Sequence, residues 1–418
     1  MKILMVNPIL PYPPDQGTRA VTWSLLRALS QGNQVTLLCR TLGRTDVENL
    51  EPVRSVCHRL EAVPAPSRRS VLHRAAYKLA YTARGLLSGV PPQAFYDYPG
   101  AMIARGRALE LEEGYDAVLV GYWSGYRLAR RLRSGVRILL AHDVEHEVLE
   151  AARRVAMPRL ARVRLWFEHY RMKRVELIAI NEFTHVFALT DRDRDAWRRL
   201  AAHLGKERVQ TLDPPLETER FRPPSGPRAR ERILFLGYLR AGFNRDALDF
   251  LLEEVLPRIR AVRPTARLSV VGGERPAASR YDREEIDWEG FVPDVRPHLA
   301  GASVLVLPLR FGGGLRVRLL EALAMETPVV STRVGAAGSG LSAGEHYLEA
   351  DDPVAIARAV MRLLDEPQEA RRLAAAGRRY VLERYGKDVA SRRARTVLER
   401  AVEEGGARAG AERAREPA

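Results

Sequence analysis

Short apolar runs alternate along nearly the whole chain with longer stretches in which apolar residues recur every third or fourth position. Runs of the first kind predict strands buried on both faces, and stretches of the second kind predict amphipathic helices that cover them. In the first half the runs are Lys2–Val6, Gln34–Cys39, Asp116–Gly121, Val136–Ala141 and His185–Leu189. Thr190, followed by Asp191 and Asp193, reads as a helix start, because a threonine hydroxyl accepts from the free N–H groups of a first turn. The second half repeats the alternation. Arg232–Leu236, Ala266–Val271, Trp288–Val292 and Ser303–Leu307 predict strands, while Asn244–Arg260, Leu315–Met325, Asp352–Leu364, Glu369–Arg384 and Asp388–Glu404 predict helices.

Such alternation predicts an α/β protein with doubly wound parallel sheets. The proline-rich segment Asp213–Pro227 interrupts it once. The expected organisation is therefore a Rossmann-like N-terminal domain over residues 1–208, a connection over 209–227 and a second Rossmann-like domain over 228–387. Ligands of such sheets bind at the carboxyl ends of the strands, so the site is expected in a cleft between the two domains. Residues 405–418 hold too little apolar content to pack and are expected to be disordered.

A length of 418 residues suits two cores rather than one, and 46% hydrophobic residues can fill both. Two cysteines, Cys39 and Cys57, make neither a disulfide framework nor a metal spacing, which points to a reducing cytoplasm. The opening apolar run ends at Pro8, too early for the core of a signal peptide, and no stretch approaches the ~20 apolar residues that cross a bilayer. Net charge is +15, carried almost wholly by arginine. No zinc spacing, aromatic strand motif or basic zipper accompanies it, so no specific nucleic-acid partner is expected. The basic residues cluster over 67–89 (Arg68, Arg69, Arg74, Lys78 and Arg84) and over 153–174, interleaved with apolar ones. Two readings stay open: segments that lie on anionic headgroups at the inner face of the cytoplasmic membrane, or ordinary helices with arginine-rich solvent faces.

The densest chemistry follows Ser303. The strand stops at Pro308, and Gly312, Gly313 and Gly314 then remove every Cβ from the turn, so backbone N–H groups can approach the oxygens of a ligand. The helix that follows turns its free N–H groups and positive dipole end toward the same loop. Arg318 and Glu321 share one face of it, about 4.5 Å apart along the axis. Such a pair can hold a phosphate and the adjacent sugar hydroxyls of one nucleotide; equally, the glycines can be a plain turn and the pair a surface ion pair.

In the first half, Gly17 closes the loop after the first strand, and either admits a phosphate or serves only the turn. His142 stands at a strand end, followed by Asp143, Glu145 and His146, and is either a ligand-binding or a buried structural histidine. A metal site there lacks a third firm ligand. Tyr122 and Trp123, past another strand, either stack on a sugar or pack in the core.

These segments resemble, in order along most of the chain, those of family 4 glycosyltransferases, which are retaining enzymes of the GT-B fold. The E-A-[LM]-A motif falls on Glu321, Ala322, Leu323 and Ala324, and P-V-V on Pro328, Val329 and Val330. The glycine loop at Gly17, H-D-V-E from His142, G-Y-L at Gly237 with Asn244, V-V-G-G from Val270 and E-G-F-V-P from Glu289 complete the pattern. There are three departures. Gly313 replaces the first glutamate of Glu-x7-Glu, Tyr238 and Asn244 stand where Arg and Lys are usual, and Glu326 replaces a helix-ending glycine.

The resemblance implies a GT-B architecture of two Rossmann-like domains, with the helix at about 388–404 crossing back onto the first. It implies transfer of a sugar, with retention, from a nucleotide-diphosphate sugar to a carbohydrate or lipid-linked hydroxyl, as in polysaccharide or glycolipid assembly. Glu321 would grip the ribose, Phe291 and Val292 would flank the base, and His142 would touch the donor sugar. Gly17, Gly312, Gly313, Gly314, Arg316 and Arg318, with Arg240 as a further candidate, would hold the diphosphate beside Gly237, Tyr238 and Asn244. Neither metal nor cofactor is expected. A nucleotide-sugar 2-epimerase and a non-catalytic binding protein of the same fold are the alternatives.

Overall fold

The computed structural model describes residues 1–65, 71–155, 159–226, 228–277 and 281–413. They divide into two compact units. Residues 1–153 and 159–215, with the chain from Ala390 onward, form the first, and Leu216–Val389 is the body of the second.

The first unit is built on seven strands: β1 (Lys2–Asn7), β2 (Gln34–Thr41), β3 (Arg59–Pro64), β4 (Ala117–Gly121), β5 (Arg137–Ala141), β6 (His185–Ala188) and β7 (Val209–Thr211). Their order is β3-β2-β1-β4-β5-β6-β7, with every pair parallel. The chain starts mid-sheet, winds to one edge, then returns to β4 and winds to the other. That reversal places a topological switch point between β1 and β4. Leu4, Val6, Val118, Val120 and Leu139 are wholly buried because helices cover the sheet.

The second unit repeats the plan with β8 (Arg232–Leu236), β9 (Arg267–Val271), β10 (Ile286–Gly290), β11 (Val304–Leu307), β12 (Val329–Ser331) and β13 (Leu348–Glu349). Their order is β10-β9-β8-β11-β12-β13, again all parallel. Its switch point lies between β8 and β11.

Several elements differ from the sequence expectation. β3 escapes the apolar-run criterion because it is an edge strand, half-buried and alternating charged with apolar residues. β10 begins two residues before Trp288. β7 belongs to the sheet of the first unit, although its residues read as part of the connection. The expected helix over Asn244–Arg260 is three consecutive helical pieces, Gly242–Phe250, a π turn at Leu251–Val255 and Leu256–Val262; Pro257, which lacks an N–H, opens the last of them.

The final helix runs from Lys387 to Arg413, so residues 405–413 of the expected disordered tail are helical and residues 414–418 lie outside the described residues. Alanine, arginine and glutamate, all good helix formers, offset the glycines there. From Ala390 this helix packs on the first unit. Arg395 donates to the Ala28 carbonyl at 3.3 Å and to Gln31 at 2.9 Å, and Glu404 meets His185 at 3.2 Å.

Of the basic segment 67–89, Arg68 and Arg69 lie outside the described residues, as do the side chains of Arg74 and Lys78. Val71–Ser88 is helical, with Leu79 and Leu87 exposed. No helix among the described residues is long and apolar enough to cross a membrane.

Candidate active site

In the second unit the carboxyl ends of β8, β9 and β10 each run into glycine, and the three turns interlock. Gly237 donates its N–H to the Val271 carbonyl (3.0 Å), Leu239 to Gly272 (3.1 Å) and Gly272 to Gly290 (2.8 Å). Gly272 has φ 125°, and a Cβ there would lie 2.2 Å from the carbonyl oxygen of Gly237. Only glycine allows that approach. Asn244 closes the first turn by donating to the Tyr238 carbonyl at 3.1 Å.

After β11 the chain turns at Pro308 into the glycine loop. Gly312 (φ 138°) and Gly314 (φ 70°) occupy conformations that side chains disfavour. Arg316 folds back, donating to the Gly313 carbonyl while its guanidinium sits 5.1 Å from the Phe243 ring. Arg310 bonds Asp246 at 2.9 Å and lies over Phe250 at 5.0 Å. Both arginines thus tie the loop to the helix Gly242–Phe250, which follows the Gly237 turn. Gly237, Tyr238, Asn244, Gly312, Gly313, Gly314 and Arg316 come together at the carboxyl edge of one sheet. Phe291, 63% exposed, and the half-buried Val292 follow β10 at the same edge.

The helix Val317–Ala324 begins without a side-chain cap. Glu321 is 4% exposed, and Arg318 Nη1 donates to its Oε2 at 2.6 Å. The ion pair of the plainer reading therefore forms, but it is not a surface pair. A carboxylate this deep needs a charged partner, and Arg318 supplies one. The helix ends in a Schellman turn: Glu326 donates to Leu323 and Thr327 to Ala322, each at 2.9 Å. Glu326 takes φ 52° there, in a place that glycine fills without strain.

In the first unit β1 passes through the loop after Asn7 into the helix Gly17–Leu29, so Gly17 is the first helical residue. Arg40, fully buried at the end of β2, donates Nε to the Pro8 carbonyl at 2.9 Å and also bonds the Tyr96 carbonyl. It braces that loop from below. His142 follows β5, is 4% exposed and stacks on Tyr122 with centroids 4.4 Å apart and planes at 19°. Tyr122 holds φ 65° to do so.

Neither ring nitrogen of His142 has a hydrogen-bond partner among the described residues, and burial pushes its pKa down to about 4. A neutral imidazole with two unsatisfied nitrogens is an anomaly in a folded interior, and a ligand hydroxyl would resolve it. Trp123, 3% exposed, packs in the core.

Glu176, wholly buried, accepts the backbone N–H of Glu145 at 2.7 Å and bonds His146 Nδ1 at 2.6 Å, capping the helix Glu145–Arg154. Glu145 is pushed up to about 8 by loss of water and then by the charges of Asp143, Glu176 and Asp97. Asp193, below Thr190, rises to about 6 through burial. Among the described residues no group of three or more histidine, cysteine or carboxylate side chains is placed to hold a metal ion.

Sequence patterns did not single out Arg40, Glu176, Arg310 or Asp246. The available signal was a charged residue inside or just past an apolar run, as in QVTLLCRT. The partner of each is remote in sequence.

Two units of this topology define the class: an α/β protein of the GT-B type. The solved sucrose-phosphate synthase of Thermosynechococcus elongatus superposes with a TM-score of 0.72 at 17% identity, covering 96% of this chain and 98% of that one. The Anabaena protein HepE, solved in complex with UDP and glucose, superposes with 0.65 at 12% identity, covering 96% and 99%. Residues 230–366, about a third of the chain, match the model of the family described as "Glycosyl transferases group 1". A GDP-mannose-dependent alpha-(1-6)-phosphatidylinositol monomannoside mannosyltransferase of Mycolicibacterium smegmatis is 30% identical over 201 residues, 42% of this chain. The match spans 52% of that relative, so the chain aligns with about half the length of this curated relative.

Proposed function

We propose that the protein transfers a sugar, with retention at the anomeric carbon, from a nucleotide-diphosphate sugar to a hydroxyl of a carbohydrate or lipid-linked acceptor. One observation carries the reading: the buried Glu321–Arg318 pair, on the helix after the glycine loop, lies within the segment that matches the family. HepE with UDP and the mannosyltransferase relative, named for GDP-mannose and a phosphatidylinositol glycan, support the donor class and a lipid-linked acceptor.

The chemistry follows from charge. As the glycosidic bond breaks, the leaving phosphate gains negative charge, and fixed donors aimed at it lower the barrier. The N–H groups around Gly312–Gly314, the uncapped start of the helix Val317–Ala324, Arg316 and Arg318 are those donors. Glu321 accepts from the ribose hydroxyls, and Phe291 and Val292 flank the base. His142, neutral at physiological pH, bonds a hydroxyl of the donor sugar. The departing phosphate takes the proton of the acceptor hydroxyl on the same face, so the reaction uses no protein base.

The test is a thermal-shift panel of UDP, GDP, ADP and their sugars, followed by product analysis with hydroxyl acceptors. One nucleotide should raise the melting temperature by mass action, and its sugar should be transferred with unchanged anomeric configuration. An inverted product removes the retaining mechanism, and no shift with any nucleotide removes the donor site.

A 2-epimerase is the second reading, favoured by Glu145, whose carboxyl keeps its proton up to about pH 8, and by Asp193, raised to about 6 and so ionised at neutral pH, which together offer an acid and a base. Epimer formed from the nucleotide sugar without acceptor would establish it.

A further inference from the structure

The helix Arg159–Ile180 has two apolar faces. Met172, Val175, Ala179 and Ile180 bury one of them in the core of the first unit. The other meets solvent. Leu160 is 86% exposed, Val163 54%, Trp166 42%, Phe167 62% and Tyr170 56%. At about 100° per residue these five side chains fall within an arc of roughly 120°. Trp166 packs edge-on against both Phe167 and Tyr170, with centroids 4.8 Å apart in each case.

From Arg159 to Tyr170 every residue is exposed or half-buried, so this part of the helix projects. Folding does not explain the aromatic stripe, since the opposite face does the packing.

Cations border the stripe. Arg162 and Lys173 lie along one edge, Arg164 and Arg171 along the other, and Arg159 and Arg174 within it. Glu168 is the one carboxylate between Arg159 and Arg174, and Arg164 occupies it at 2.9 Å.

We propose that this face docks the protein on an anionic bilayer, with the Trp166, Phe167 and Tyr170 rings in the headgroup layer and the arginines on lipid phosphates. Amphipathic rings and long basic side chains suit a boundary that is apolar on one side and anionic on the other. A protein partner fits less well, because it would have to set a carboxylate against each of these cations, whereas an anionic bilayer presents phosphates over the whole face. A second copy of this chain across a two-fold axis would set the cations against one another. The inference does not rest on the sugar-transfer reading.

The test is co-sedimentation of the full chain with vesicles of phosphatidylcholine alone or mixed with phosphatidylglycerol. Binding should require the anionic lipid and weaken with salt. Replacing Trp166, Phe167 and Tyr170 together by serine should weaken it at least about tenfold, and Arg162→Gln or Lys173→Gln about fivefold each. Melting temperatures and nucleotide-induced shifts should stay at wild-type values, because these side chains are exposed. Wild-type binding by the triple variant overturns the proposal. So does equal binding to both vesicle types, or a solution dimer that the triple variant dissolves. A protein that binds vesicles but no nucleotide would overturn the donor reading alone.

Discussion

Glu321 offers the sharpest test of the donor site. Its carboxylate is almost wholly buried and bonded to Arg318, whose side chain keeps 22% of its exposure. Truncation to alanine removes one charge-assisted bond in the free protein and, on the proposed reading, the bonds to the nucleotide ribose. Hydrogen bonds to a charged group contribute about 1.5–3 kcal/mol each. Glu321→Ala should therefore weaken nucleotide binding by about 2 kcal/mol, roughly thirtyfold at about 1.4 kcal/mol per decade. Glu321→Gln keeps the shape and a neutral acceptor, so it should lose about 1 kcal/mol, or fivefold.

Arg318 can turn to water when its partner is lost, so the folding cost should stay near 1–3 kcal/mol and leave the protein folded. Titration calorimetry with the nucleotide that raises the melting temperature measures the first quantity, and urea denaturation the second. A folded Glu321→Ala protein that binds this nucleotide within twofold of wild type would refute the placement of Glu321 at the ribose.

Glu326→Gly should raise stability by about 0.5–1 kcal/mol in urea titrations, since relief of a left-handed side chain exceeds the added freedom of the unfolded chain and the loss of a 3.8 Å ion pair with Arg378. Gly272→Ala should cost about 2 kcal/mol or more in the same assay, because its φ of 125° and its 2.2 Å approach to the Gly237 carbonyl both oppose a Cβ. His142 stays neutral in the fold down to about pH 4 but gains a proton near pH 6.5 in the unfolded chain, so stability drains away as pH falls through that window. His142→Phe keeps the stack on Tyr122 and should flatten that acid limb by on the order of 2–3 kcal/mol between pH 6.5 and 4, read from melting curves. An equally steep limb in the variant would show that His142 titrates normally.

The central strands were legible because each is buried on both faces and so must be apolar throughout, as Arg232–Leu236 and Val304–Leu307 are. The glycine loop and the helix carrying Glu321 were legible for a related reason. A turn with φ values closed to side chains, next to a helix start, has to be written in glycine. Edge elements were not: β3 alternates because only one side of it is covered, and β13 is two residues long.

Local sequence determined the order of strands and helices, the parallel winding and the backbone of the candidate site, because these depend on periodicity and on permitted dihedral angles. Only the tertiary structure decided that Glu321 lies inside rather than on the surface, that His142 rests on Tyr122 with no hydrogen-bond partner among the described residues, that Arg40 braces the Pro8 loop, and that the aromatic face of Arg159–Ile180 is exposed. Burial and electrostatic environment are set by neighbours distant in the chain, and no single segment records them.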